Sequence, residues 1–238
     1  MRKTLILARR EISGYFCSPV AYVIGALFLL ASGIWFFHAI FRPGQPATLR
    51  PLFEAMAYIM VFVTPLLTMR LVSEEFRTGT FETLVTAPIT DTQVIMGKFL
   101  GVLMFYMILL ACTGLYMWLI AVYGRPDPGV AVMGYCGMVL LGAAYLAVGL
   151  FASTLTTHQP VAAILSIAIL SVFAILMQLL TLHAPGLWGH LAARLNAMRY
   201  FKDFARGMFD SRGAVFFVST TALFLFLSVK MLESRRWK

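Results

Sequence analysis

Long runs of apolar residues alternate with short polar intervals along the whole chain, and this pattern predicts a polytopic membrane protein. Each apolar run is near the ~20 residues that a helix needs to cross the hydrocarbon core of a bilayer. Two polar intervals, residues 73–98 and 183–213, are longer than the others. The six predicted spans cover residues 20–41, 52–71, 99–123, 130–153, 160–182 and 214–232.

Composition supports one membrane domain over residues 1–238. The chain is 61% hydrophobic and 12% charged, about half of the charged fraction of a soluble domain. The excess apolar surface must face lipid, so we expect an all-α polytopic membrane protein without a soluble catalytic domain. Span four is rich in small residues, which predicts close helix packing there. Its glycines include Gly134, Gly137, Gly142 and Gly149.

A basic amphipathic segment, residues 1–19, precedes the first span. Leu5, Ala8, Ile12 and Phe16 recur every three to four residues and predict a helix on the inner membrane surface. Lys and Arg are more frequent on the side that would hold both chain ends, so both termini are expected to be cytoplasmic. The net charge of +9 is explained by these flanking residues, and we expect no nucleic-acid partner.

The first long polar interval contains SEEFRTGTFETLVTAPIT, residues 73–90, which is spaced like a helix followed by a turn. Ser73 is a suitable N-cap, and glutamates in the first turn suit the helix dipole. The residue before Pro88 avoids the α region, so the helix should end there. Thr90 and Asp91 can cap a second helix that leads into span three. An ordinary solvated loop with a charge run would also explain this composition.

The charges of this interval indicate the kind of partner that it could bind. Glu74, Glu75 and Glu82 outnumber Arg77, so a docking helix here would favour a partner with basic or hydrogen-bond-donating groups. Such a partner would lie in the cytosol and would apply force to the two spans that the helix joins.

The segment EEFRTGTFETLVTAPIT…VIMGKFLG resembles the region between spans two and three of type-2 ATP-binding-cassette (ABC) exporter permeases. A second block, residues 204–237, is similar to the end of the gliding-motility-associated branch of that family. Together the two blocks extend the resemblance over the six-span layout. The residues that match the first pattern in order are Glu74, Glu75, Arg77, Gly79, Thr80, Glu82, Leu84, Pro88, Gly97 and Lys98.

The resemblance implies a transport subunit of the bacterial inner membrane that exports a substrate with energy from a separate ABC ATPase. Residues 73–88 would be the coupling helix that enters a cleft of that ATPase, with Pro65 and Pro88 as hinges. ATP and Mg²⁺ would bind the ATPase subunits, and a second permease copy or a paralogue would complete the path. The residues that would couple to the ATPase are Glu74, Glu75, Arg77, Gly79, Thr80, Glu82, Leu84 and Pro88.

An absence in the sequence agrees with this interpretation. No G-x-x-x-x-G-K-[ST] pattern occurs, because Gly97-Lys98 is followed by Phe99, so the chain is not expected to cradle ATP phosphates itself. Its three cysteines and four histidines show no ligand spacing. We therefore expect no catalytic residue, no metal site and no cofactor bound by this chain.

The second long polar interval, residues 183–213, predicts an external amphipathic segment between spans five and six. Its apolar positions recur every three to four residues, while its cations leave that stripe. It could anchor lipid head groups, or act as a lid with Trp188, Phe204 and Arg206 as gate candidates. Its cations could also contact an external accessory protein or an anionic cargo. In the preceding span, Gln178 could line a path or bond to a neighbouring helix.

Two rival functions remain open at the level of sequence. A non-transporting membrane scaffold, or a mechanical element of a larger envelope complex, could be driven by the same kind of ATPase. A carrier driven by an ion gradient would need an ionisable residue in mid-span, and Glu54 lies near a span end. The carrier is therefore the weaker rival.

Overall fold

The computed structural model describes residues 2–40, 48–79, 90–123, 127–183 and 186–236. Within these ranges the regular structure is helical without any strand, and six stretches are long and apolar enough to span a membrane, which confirms the all-α polytopic class. The helices are α1 (Arg2–Cys17), α2 (Pro19–Ile40), α3 (Arg50–Thr68), α4 (Ser73–Thr78), α5 (Asp91–Cys112), α6 (Gly114–Tyr123), α7 (Pro128–Leu155), α8 (Gln159–Ser171), α9 (Met177–His183), α10 (Leu187–Leu195), α11 (Ala197–Ala205) and α12 (Ser211–Arg236).

Helix α7 is the central helix of the bundle, and it packs against α3, α5, α8, α11 and α12. Its glycines make this possible because neighbouring side chains occupy the space that a Cβ would need. A Cβ at Gly142 would lie 2.2 Å from the Tyr106 ring, and one at Gly149 would lie 2.1 Å from the Thr68 hydroxyl. The close packing predicted for span four is therefore confirmed.

Span three begins earlier and is less regular than its apolar run indicates. Helix α5 begins at Asp91 because Thr90 and Gln93 form a capping box, in which the Thr90 hydroxyl accepts from the Gln93 N–H. The predicted capping role of Thr90 is thus confirmed, and the helix extends well before Phe99. At Thr113 the helix breaks into α5 and α6, where the Thr113 hydroxyl donates to the Leu110 carbonyl at 2.6 Å and Gly114 follows.

Span five contains a π-helical turn that periodicity alone does not predict. Helix α8 ends at Ser171, residues Val172–Leu176 form the π turn, and α9 continues to His183. Such an insertion rotates the side chains that follow it relative to those before it. After this turn, Gln178 accepts a hydrogen bond at 2.7 Å from the amide of Asn196, beyond the end of α10. The hypothesis that Gln178 bonds between helices is confirmed.

Helix α1 packs along α5 without intervening side chains. A Cβ at Gly97 would lie 2.7 Å from the Leu7 Cβ, and one at Gly101 would lie 2.6 Å from the Glu11 Cβ. Since residue numbers increase together in both helices, α1 and α5 run in the same direction. Of the predicted stripe Ala8 is buried, whereas Leu5 and Phe16 are exposed. The face of α1 that packs on the protein is thus rotated relative to that stripe. Glu11 belongs to the packed face.

The segment between spans five and six forms two helices, α10 and α11. Asn196 separates them, because its side chain caps α11 by accepting a hydrogen bond from the Arg199 N–H at 3.1 Å. The predicted apolar stripe is buried on α11, where Phe201 and Phe204 lie in the core. On α10 the leucines of that stripe are exposed. The predicted apolar stripe therefore faces the protein core on α11 and faces outward on α10.

Candidate functional site

Helices α3 and α4 are separated by a turn, residues 69–72, which we call the corner and which one hydroxyl of α7 holds. Ser153 Oγ accepts hydrogen bonds from the N–H groups of Val72 and Ser73, both at 3.1 Å, and donates to the Met69 carbonyl at 3.2 Å. Ser73 donates its own hydroxyl to the same carbonyl, so it does not cap α4 as predicted. The first N–H groups of a helix lack an intrahelical acceptor, and Ser153 supplies one.

The first glutamate of α4 holds the helix to the end of span two. Glu74 accepts a hydrogen bond from the Arg70 Nε at 2.9 Å. The same guanidinium donates through Nη1 to the Ser18 hydroxyl at 3.0 Å, at the junction of α1 and α2. Because a guanidinium presents several donors in a fixed plane, Arg70 can hold both groups at once. This corner therefore joins α4 to the first two spans.

The second glutamate of α4 is paired within the protein. Lys98, on the second turn of α5, donates to Glu75 Oε1 at 2.7 Å and to Glu11 Oε1 at 2.9 Å. The lysine side chain is only 4% exposed, and those of Glu75 and Glu11 are 17% and 22% exposed. Three helices, α1, α4 and α5, thus meet at one ammonium group, which we call the Lys98 triad (Glu11, Glu75 and Lys98).

The aromatic residue of α4 contacts the last helix of the chain. The guanidinium carbon of Arg235 lies 4.6 Å from the centroid of the Phe76 ring, a cation–π geometry. Arg235 also donates to the Leu155 carbonyl at the end of α7, at 2.6 Å. Both described chain ends therefore lie at the end of the bundle that carries α4, which we call the α4 end.

The last turn of α4 is the part that remains accessible. Arg77, Thr78 and Gly79 are exposed, and Arg77 makes no ion pair with any described residue. The helix ends because Gly79 adopts a left-handed conformation, with φ of 73°. A partner could therefore contact the tip of α4, while the rest of this helix is held to the turn after α3 and to α5, α7 and α12.

The contacts at the α4 end are suited to transmitting a displacement between helices. Among the described residues no group of three His, Cys, Asp or Glu side chains could hold a metal ion. A short helix that is polar on one side, and anchored by separate contacts to several spans, can pass a displacement to all of them.

A family model described as ABC-2 family transporter protein matches residues 20–229. The chain belongs to the ABC-2 transporter family. It is therefore a multi-pass permease component of an ABC transporter, and permeases of this family generally work with ABC ATPase subunits. No curated protein matches the chain in a sequence comparison. Helix α1 lies entirely outside the matched range.

The permease contains part of the predicted coupling site within its described residues. Glu74, Glu75, Arg77 and Gly79 lie on or just after α4, and only Arg77 and Gly79 are fully exposed. The helix predicted to begin at Ser73 and end before Pro88 instead ends at Thr78, because Gly79 is left-handed. Thr80, Glu82, Leu84 and Pro88 lie outside the described residues, so their roles stay predictions.

Pro65 and the three gate candidates lie in different environments in the permease. Pro65 is buried inside α3, which continues to Thr68, and its carbonyl accepts from the Met69 N–H at 2.9 Å. Trp188 on α10 is 73% exposed, whereas Phe204 on α11 is wholly buried. Arg206 is half-exposed, with its Nη1 3.9 Å from Asp203 Oδ1. Trp188 and Phe204 therefore do not share one surface within the protomer.

The structure adds functional-site residues that the sequence reasoning did not assign. Glu11, Ser153 and Arg235 each hold α4 or the lysine beside it. Lys98 belongs to the family motif in the sequence, but the motif does not predict its ion pairs with Glu11 and Glu75. The signal available in the sequence was Gly97 and Gly101, four residues apart around Lys98, because that spacing permits a second helix to approach closely.

Proposed function

We propose that this permease exports a substrate across the bacterial inner membrane with energy from ATP hydrolysed on separate ABC ATPase subunits. The observation that carries the proposal is the position of α4. Its exposed tip lies at one end of the bundle, while Glu74, Glu75 and Phe76 contact the turn after α3, helix α5 and helix α12, respectively. Force applied at the tip would therefore reach several spans together. Both chain ends are cytoplasmic in this proposal.

The ATPase contact in this proposal is residues 73–88, with ATP and Mg²⁺ on the ATPase. The sequence suggested an acidic contact, but Glu74 and Glu75 are paired with Arg70 and Lys98. The charge that α4 offers to water is that of Arg77. We therefore propose that Arg77 meets a carboxylate or carbonyl of the ATPase, while Glu82 meets a basic or hydrogen-bond-donating group.

A second permease copy, or a paralogue, would complete the path in this proposal. Helix α2 supports this, because an exposed apolar row runs along it with alternating spacings of four and three residues. That spacing is typical of a seam between two helices. In an isolated protomer the row faces outward. The residues of the row are Val23, Leu27, Leu30, Ile34 and Phe37.

The opposite end of the bundle would lie outside the cell. Helix α10 exposes Leu187, Trp188 and Leu191, and Arg194 follows on the same helix. A helix with this composition lies at a membrane interface with its cation among head groups. We propose that α10 is a lipid-facing support and that α11 closes the bundle, with an accessory protein docking on the exposed cations. The block of residues 204–237 supports the gliding-motility-associated branch.

Purification of the full-length permease from its native membrane tests the proposal. In mild detergent, an ATPase bearing a phosphate-binding loop should co-purify, and the mass of the complex should correspond to two permeases and two ATPases. Inverted membrane vesicles should then accumulate a solute in their lumen when ATP is supplied, as judged by mass spectrometry of the lumen. ATP hydrolysis without any accumulated solute would favour the scaffold, and isolation of the chain alone would argue against both.

A matched pair of variants tests the role of residues 73–88. Glu82→Lys should leave membrane insertion intact and uncouple ATP hydrolysis from transport, because it reverses a charge at the proposed contact. Glu54→Lys serves as the control, since Glu54 forms a surface ion pair with Arg50 at the start of α3, far along the chain from α4. It should transport as the unmodified permease does. Normal coupled transport by Glu82→Lys would remove the role assigned to this segment.

A further inference from the structure

The Lys98 triad contains two carboxylates but only one ammonium group. One ammonium group serves two carboxylates, and Glu75 Oε2 is buried and accepts no hydrogen bond from any described residue. Lysine can donate three hydrogen bonds but cannot accept one, so it can hold both carboxylates together. Without Lys98, two carboxylates from α1 and α4 would face each other in a nearly dry site, which is unfavourable.

Helices α1 and α5 pack with their backbones in close contact. Gly97 and Gly101 leave no space for a side chain between the two helices, and Tyr15 stacks on Phe105 with ring centroids 4.8 Å apart. At the far end of α1, the Tyr15 hydroxyl donates to the Leu67 carbonyl at 2.7 Å. Close-packed contacts of this kind shift as units rather than deform continuously.

The end of α1 is joined to span one by a single residue. Ser18 alone separates α1 from α2, and the Tyr22 hydroxyl donates to the Phe16 carbonyl across this junction at 2.8 Å. Any rotation of α1 would therefore be passed to α2. In contrast, α4 contacts this unit of α1 and α5 mainly through a single residue, Lys98.

We propose that Lys98 is a positioning residue that makes α1 and α5 follow α4 when the ATPase displaces it, so that α1 drives span one as a second input of the transporter. Glu75 carries the displacement to the ammonium group, and Glu11 passes it to α1. This inference rests on the proposed function, because it requires an ATPase that moves α4. It assigns a coupling role to a helix that lies wholly outside the family match.

A distance measurement between two spin labels tests this inference in the assembled complex. The exposed native cysteines Cys17, Cys112 and Cys136 are first replaced by serine. Labels at Arg9 on α1 and at His158 after α7, both exposed, then report the movement of α1 against the central helix. Pulsed electron–electron double resonance is recorded for the complex without nucleotide and for the complex trapped in its ATP-bound state. The Arg9–His158 distance is expected to change between the two states.

Three variants separate positioning from a general loss of structure. Lys98→Met keeps the length of the side chain without its charge, and it should reduce the nucleotide-dependent distance change at least twofold while the ATPase still binds. The double variant Glu75→Lys with Lys98→Glu retains one cation and two carboxylates and should restore the change. Lys230→Met removes an exposed ion pair with Glu233 on α12 and should have no effect.

The outcomes that overturn the inference differ from those that overturn the proposed function. Lys98 is only a structural residue if the Arg9–His158 distance changes as much in Lys98→Met as in the unmodified permease. The same conclusion follows if the distance change in the double variant is as small as in Lys98→Met. If the ATPase binds and hydrolyses ATP while the distance stays constant, α1 is not an input and the inference alone fails. If no ATPase binds the unmodified permease, the proposed function fails and this inference fails with it.

Discussion

Arg235, close to the end of the chain, covers the ring of Phe76 on α4 at 4.6 Å from the ring centroid. The two residues are far apart in sequence, and their contact brings the last helix to the short helix between spans two and three. The same guanidinium donates to the Leu155 carbonyl. Helix α4 is therefore held from the side of α12 as well as from the side of α1.

Replacement of Arg235 by leucine should loosen α4 without removing it. The variant loses a cation–π contact and a charge-assisted hydrogen bond, together about 1–3 kcal/mol of unfolding free energy. We expect a lower melting temperature in detergent and weaker stimulation of the ATPase by the permease. Arg235→Lys keeps the charge and should fall between the two. Unchanged melting and unchanged stimulation in Arg235→Leu would show that the contact carries neither stability nor coupling.

Ser153 offers a second test at the corner between α3 and α4. Ser153→Ala would leave the N–H groups of Val72 and Ser73 and one lone pair of Met69 without their partner. Leaving buried polar groups unpaired costs about 1–3 kcal/mol each, so the melting temperature should fall markedly. The control is Ser219→Ala at an exposed position of α12, which removes only the hydrogen bond from the Ser219 hydroxyl to the Phe216 carbonyl of the same helix. Equal melting temperatures for the two variants would contradict this account of the corner.

Local features of the fold were predictable from the sequence, whereas most contacts at the α4 end were not. The spans follow from runs of apolar residues, and the capping box at Thr90 follows from neighbouring residues. The pairing of Lys98 with Glu11 joins positions far apart in sequence. Periodicity tells which face of a helix is polar, but it does not tell which other helix that face meets.

The external segment shows the same limit in a different way. The periodic stripe predicts an amphipathic segment, and the structure divides it at Asn196, which caps α11 and donates a hydrogen bond to Gln178. Asparagine favours such caps because its short side chain competes with helical backbone bonds. The break could have been inferred from Asn196 alone, but the exposure of α10 and the burial of α11 depend on the neighbouring spans.

Gly149 provides the sharpest test of the central packing, because it faces the same part of α3 from which α4 departs. A Cβ at this position would lie 2.1 Å from the Thr68 hydroxyl, which is itself bonded to the Thr64 carbonyl at 2.8 Å. Gly149→Ala would therefore push α3 away from α7. Overpacking of this kind costs about 1–3 kcal/mol, and the corner held by Ser153 should be displaced with it.

A matched glycine separates this clash from the general effect of alanine in a helix. Gly114 at the start of α6 has no neighbouring atom within 4 Å of an added Cβ, so Gly114→Ala should be neutral or slightly stabilising. We expect Gly149→Ala to melt at a lower temperature than Gly114→Ala. A second change, Thr68→Ala, should recover part of that loss, because it removes the hydroxyl that the new methyl group meets. Absence of any recovery would mean that Gly149 is required for a reason other than its contact with Thr68.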